Sequence, residues 1–193
     1  MEVEADSIPV FHVRKAEDGT PPGDFSSIGE ALAQASPNSC IRVHPGVYEE
    51  MPLVIEVEDI QLIGETSNGS TVSILSRTLD AVLRLRSRRA LIKGLNFVLA
   101  LPEEVETDGV ACIAVDAGGA AVEDCHISGS AGGVLVAPSG PEECPEPTFR
   151  GCHITDCKDF AIKVMGGSNP RFEQCQVRNC ELIFLHDVII KLV

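Results

Sequence analysis

The sequence predicts an all-β chain, a right-handed parallel β-helix of about six or seven coils with an N-terminal amphipathic capping helix. Three observations predict it. A Cys-centred segment recurs at solenoid spacing, an alternating apolar segment accompanies each copy, and a single helical pattern stands before the first coil. A coil this thin cannot bury its own apolar residues, so coils stack and equivalent inward residues form ladders.

The repeat is read from "VEDCHISGSAGGVLV" at Val122, "FRGCHITDCKDFAIKV" at Phe149 and "FEQCQVRNCELIFL" at Phe172. Each copy places an apolar residue, two others, Cys, one residue, then Ile or Val. Cys125, Cys152 and Cys175 are equivalent, at intervals of 27 and 23 residues, and Leu95 in "IKGLNF" takes the same place 30 residues earlier. Leu95, Cys125, Cys152 and Cys175 are therefore expected to form a core ladder. The motif breaks strict period two, and a corner between strands explains the break. The second track, "AVLRLR", "ACIAVD", "GGVLVA" and "FAIKVM", alternates as a strand with one buried face does.

The elements follow in order. Residues 1–22 read as an N-terminal arm and 23–37 as the capping helix. Phe25, Ile28, Leu32 and Ala35 have helical spacing, Ser26 or Ser27 can N-cap, and Glu30 stands where a capping box with Ser27 places it. Its task is to cover the open apolar end of the stack. Residues 38–185 read as the β-helix, interrupted by a Pro-rich loop at 137–147, "APSGPEECPEP". The tail at 186–193 is apolar.

Composition bounds the function. Hydrophobic residues are 44% of the chain and aromatics 4%, so Val, Ile, Leu, Ala and Cys must build the core. The formal charge of −14 argues against nucleic acid and anionic membrane as partners. No run reaches the ~18 apolar residues of a membrane span. "MEVEADSIPV" has neither a basic n-region nor an apolar h-region. A cytoplasmic or cytoskeleton-associated location is therefore expected rather than secretion, with the eight Cys as free thiols.

The stretch "GDFSSIGEALAQASPNSCIRVHPGVYEE" resembles the N-terminal cap and first coil of the pectin-lyase-like β-helix superfamily, and is most similar there to pectin methylesterases. The later coils, with Asn169-Pro170 before a strand and Cys175 stacking, look more like intracellular F-box β-helix and spindle-associated Shc-binding-type proteins. The first resemblance implies the fold and says little about activity.

A carbohydrate esterase needs paired carboxylates and an oxyanion partner. Asp116, Asp124, Asp156 and Asp159 are present, but none stands in a recognisable catalytic motif, so no catalytic residue is assigned. Cys152/Cys157 and Cys175/Cys180 repeat a C-x4-C spacing. A β-helix spreads such positions along its axis, so a ladder is preferred to a metal site, and no cofactor is expected. His44, at a strand end in "CIRVHPGVYEE", has no partner acid evident in the sequence and reads as a turn residue. Arg84, Arg86, Arg88 and Arg89 form a basic run in an acidic chain, read either as a solvated face answered by nearby acids or as a dock for an acidic partner. Phe184, Leu185, Val188, Ile189 and Ile190 offer an apolar end for docking or self-association.

These readings together favour a non-catalytic intracellular interaction or structural scaffold with protein partners, cytoskeleton-associated or serving substrate recognition, and no small-molecule substrate. The alternative, from another class, is a carbohydrate-active enzyme or glycan-binding module of the pectin-lyase-like class.

Overall fold

The structure is a computed structural model. It describes residues 8–15, 23–67, 69–180 and the backbone of 183–184. The chain opens with β1 (Val10–Val13) and α1 (Ile28–Gln34), then β2 (Cys40–Val43), β3 (Gly46–Glu49), β4 (Leu53–Ile55), β5 (Ile60–Gly64) and β6 (Val72–Ser76). It continues through β7 (Leu83–Leu85), β8 (Ala90–Lys93), β9 (Leu95–Leu99), β10 (Ala111–Val115), β11 (Ala121–Glu123), β12 (His126–Gly129) and β13 (Gly132–Val136). The last strands are β14 (Thr148–Arg150), β15 (His153–Cys157), β16 (Ile162–Val164), β17 (Arg171–Glu173), β18 (Gln176–Arg178) and β19 (Ile183–Phe184).

Successive strands contribute in turn to three parallel sheets. The first runs β1-β2-β5-β8-β11-β14-β17, the second β3-β6-β9-β12-β15-β18, and the third β4-β7-β10-β13-β16-β19. The molecule is thus a right-handed parallel β-helix of about six turns. The arm is more than a leader to the helix: β1 pairs with β2 from Val10↔Cys40 to Val13↔Val43 and extends the first sheet by one strand.

The corner between first and second sheets explains the repeat. One residue in the left-handed region turns the chain at Gly94, Asp124, Gly151 and Gln174. The residue after it, Leu95, Cys125, Cys152 or Cys175, is buried. Each thiol donates to a carbonyl of the preceding coil: Cys125 to Ile92 at 3.9 Å, Cys152 to Val122 at 3.3 Å and Cys175 to Phe149 at 3.5 Å. A small weak donor suits that position better than a purely apolar side chain of similar size. Beside the ladder, Phe149 and Phe172 stack with ring centroids 4.9 Å apart.

Helix α1 is capped differently from the box expected in the sequence. Ser27 Oγ accepts from the Glu30 N–H at 3.2 Å, as expected. The reciprocal carboxylate, however, comes from Glu50, which accepts from the Ile28 N–H at 2.7 Å and from Ser27 Oγ at 3.2 Å. Glu50 follows β3, so the first coil holds the helix that covers it. Gly132 and Gly133 open β13. A Cβ on Gly132 would meet the Phe160 ring at 2.1 Å, so close packing demands glycine there.

Candidate functional site

The third sheet carries a dense charged cluster on an outward face. Leu83 and Leu85 of β7 point into the core, which turns Arg84 and Arg86 outward together. One coil later, the Asp116 N–H bonds the Leu85 carbonyl directly after β10, which sets the Asp116 carboxylate beside both guanidiniums. Arg84 Nη1 donates to both Asp116 oxygens at 2.8 Å, and Arg86 Nε donates to Oδ2 at 3.0 Å. Arg84 also reaches Asp80 Oδ1 at 2.6 Å, so one guanidinium joins two carboxylates. Arg86 closes the cluster on Glu56 at 2.9 Å.

Beside it lies a cleft of about 110 Å³, lined by Asp80, Arg84, Asp108, Ala114 and Leu135 among others. The strand-free segment between β9 and β10 supplies Asp108. Ala114, small and buried, faces the cleft where the alternating pattern would place an exposed residue. At Asp80, burial works against the charge, but the Arg84 hydrogen bond, the Ala81 N–H and the nearby guanidiniums outweigh it and hold the carboxyl below the ordinary Asp range. Burial likewise opposes the charge on Arg84, and its bonds to Asp116 and Asp80 overcome it, raising its affinity for the proton. Asp80 is therefore an ionised carboxylate at neutral pH, fit to act as base or nucleophile and unfit to donate a proton.

The four arginines of the basic run do not act as one surface. Arg84 and Arg86 belong to this cluster. Arg88 bonds through its backbone N–H to Glu58, while Arg89 forms a bidentate pair with Asp59 at 2.6 Å. That pair borders a groove of about 760 Å³ lined also by Asn38 and Gln61. The groove is larger than the cleft but holds a single ion pair, whereas the cleft lies against a network that gathers Asp80, Arg84, Arg86 and Asp116, so the cleft is the better candidate for chemistry. Of the apolar end, Phe184 lies in β19, with only its backbone described, and Leu185, Val188, Ile189 and Ile190 lie outside the described residues.

Sequence reasoning missed Asp80 and Asp108. The only local signal for Asp80 is its place four residues before Arg84, and Asp108 has none. The sequence reading also left His44 without an acid. In the fold, His44 Nδ1 meets Glu65 Oε2 at 3.1 Å and His44 Nε2 meets His12 Nδ1 at 3.1 Å. Burial lowers the pKa of His44; Glu65 opposes this, and Arg14 and His12 reinforce it. Asp124 stands at a corner with positive φ, as does Asp156, which accepts from Asn179 at 3.1 Å. Asp159 accepts from Thr107.

With this geometry in view, comparison with known proteins identifies the family. The family described as "Right handed beta helix region" matches residues 79–190, more than half of the chain. The chain belongs to this family. A search of curated proteins gives no match. Among solved structures, the pectin methylesterase PemA from Erwinia chrysanthemi is similar at TM-score 0.63 and 16% identity, covering 90% of this chain and 56% of that one. A pectin methylesterase variant in complex with a hexasaccharide is similar at TM-score 0.60 and 16% identity, covering 87% and 56%. The pectin methylesterase from Aspergillus niger gives TM-score 0.54 at 17% identity, covering 91% and 72%. The chain thus spans about 56% of the length of the first two. At these identities the likeness shows the pectin-lyase-like fold.

The same comparisons correct the expectation of a non-catalytic scaffold. The structural neighbours are carbohydrate-active enzymes, so the carbohydrate-active alternative is the better supported of the two readings. The sequence reading placed that alternative second because no acid stood in a local catalytic motif. The cluster around Asp116 is assembled across coils, where no local motif can announce it.

Proposed function

We propose that the chain is a carbohydrate-active β-helix that lays a glycan along the outward face of the third sheet and works at the Asp80–Arg84–Asp116 cluster. The observation that carries this reading is Arg84 bridging two carboxylates beside a cleft on an exposed sheet face. A cleft of about 110 Å³ takes a small substituent and not a sugar ring. The reaction class that fits is hydrolysis of an ester substituent on a polymeric sugar. Ionised Asp80 takes a proton from the attacking water, Arg84 and Arg86 supply positive charge where the oxyanion develops, and the proton that Asp80 has taken passes to the leaving alcohol. Likeness in fold to pectin methylesterases supports this substrate class.

The test is methanol release from highly methyl-esterified pectin by the full chain. Turnover is expected, with Asp80→Asn lowering it by about 100-fold or more while the far-UV circular dichroism stays native. The reading is wrong if the chain releases no methanol, or if Asp80→Asn and Asp116→Asn both leave turnover unchanged.

A further inference from the structure

The three outward faces of the β-helix differ in chemistry. On the first sheet, Lys93, Glu123, Arg150 and Glu173 pair in succession across neighbouring coils, and Arg42 pairs with Glu65. The third sheet carries the Asp–Arg cluster. Along the middle of the second sheet, register places Ser73, Asn96, His126, His153 and Gln176 in one row, one residue per coil. None of the five is a carboxylate or an obligate cation, in a chain of formal charge −14. Strand spacing makes the row about 19 Å long, with a hydrogen-bonding side chain every ~4.8 Å.

Three members are held in place by neighbours, Gln176 among them, whose Oε1 accepts from Arg178 Nη2 at 2.9 Å. Asn96 Nδ2 donates to Thr71 Oγ1 at 3.1 Å, and His126 Nε2 lies 2.8 Å from Thr155 Oγ1 on the next coil. The ring of His153 stands nearly perpendicular to that of His126, with centroids 6.5 Å apart. His153 and Gln176 are exposed. Amide, imidazole and hydroxyl groups that both donate and accept, fixed at a regular interval on a flat sheet, complement a linear polymer presenting hydroxyls at regular intervals. A polyanion would find a single cation, Arg178 beside Gln176 at one end of an otherwise uncharged row, and an apolar partner would leave the row's polar groups unpaired.

From this, the geometry points to a second glycan-binding surface, the Ser73–Asn96–His126–His153–Gln176 row, which takes an uncharged linear polysaccharide apart from the Asp80 cleft. The inference rests on the carbohydrate-active reading of the chain and adds a distinct site and ligand class to it. The row binds and the cleft reacts, so the row would anchor the protein on a mixed polysaccharide while the third face works on its esterified component.

Native affinity electrophoresis of the full chain tests it, with a soluble β-1,4-glucan and polygalacturonate as separate probes in the gel. The glucan is expected to retard the wild type, and Asn96→Ala/His153→Ala to weaken that retardation by about tenfold or more. Methanol release from pectin should be unchanged in this double variant. Asp80→Asn should behave in the opposite way, keeping glucan retardation and losing turnover. Absence of glucan retardation in the wild type, equal retardation of the double variant, or retardation by polygalacturonate alone overturns the second site while leaving the cleft's activity standing. Retardation lost in the double variant of a chain with no turnover would instead uphold the row and remove the esterase reading. Circular dichroism of both variants separates lost binding from lost fold.

Discussion

Individual side chains illustrate how weak groups become decisive when a fold repeats them. The Cys125, Cys152 and Cys175 thiols fill the corner that Leu95 fills one coil earlier, and each reaches a carbonyl of the coil before it. Burial pushes the Cys125 thiol up to about 12, so it stays protonated and unreactive. His44 shows the opposite economy, a titratable ring held neutral between a carboxylate and two cationic or potentially cationic neighbours. Its folded pKa lies below the ordinary value of about 6.5, so the unfolded chain binds the proton more readily. The resulting stabilisation is present above pH ~6.5 and is lost as pH falls through the lower folded value. The melting temperature should fall between pH 7.5 and 5.5, and His44→Gln should flatten that step. An equally steep step in the variant would place the sensitivity elsewhere. Asp80 follows the same sign at lower pH, stabilising the fold above its unfolded pKa of ~3.9 and ceasing to do so as acid protonates it.

Single elements depend on partners distant in sequence. Helix α1 has seven residues, too few to persist alone. Ile28 and Ala31 bury its inner face against the first coil, and Glu50 closes its N-terminus. Truncating Glu50→Ala removes acceptors from the Ile28 N–H and from Ser27 Oγ, and should cost about 1 kcal/mol in denaturant titration. Glu30→Ala should cost less, since the Glu30 backbone N–H, which Ser27 caps, survives the change. Equal losses in the two variants would restore the box expected in the sequence. The helix itself was legible because the 3.6-residue pattern of Ile28, Leu32 and Ala35 is local. Its cap was not, because Glu50 lies 22 positions from Ile28 and reaches it only after β2 and β3 have formed.

At the scale of the whole molecule, stability is distributed as in any stacked solenoid, where a coil is held by the two that flank it. Strands β7, β10 and β13 have paired neighbours on both sides in the third sheet, and β9 and β12 have them in the second. Hydrogen exchange should therefore be slowest in β9, β10 and β12 and faster in β1 and β17, which end the first sheet. Uniform protection from β1 to β17 would indicate one cooperative block in place of a stack.

The sequence by itself determined the repeat, the inward ladder at Leu95, Cys125, Cys152 and Cys175, the outward pair Arg84 and Arg86, and the helix before the first coil. All are read from spacings within a coil or from recurrence of the same short pattern, and local backbone geometry imposes them. Only the tertiary structure decided which acids meet which cations. Asp116 lies 32 positions from Arg84, and Glu65 lies 21 from His44. Arg84 meets Asp116 because segment 101–110 is looped out while the strands keep their register, and His44 meets Glu65 because each follows directly on the paired residues Val43 and Gly64 of β2 and β5. Charge pairing across coils depends on that register, and no spacing in the linear chain records it.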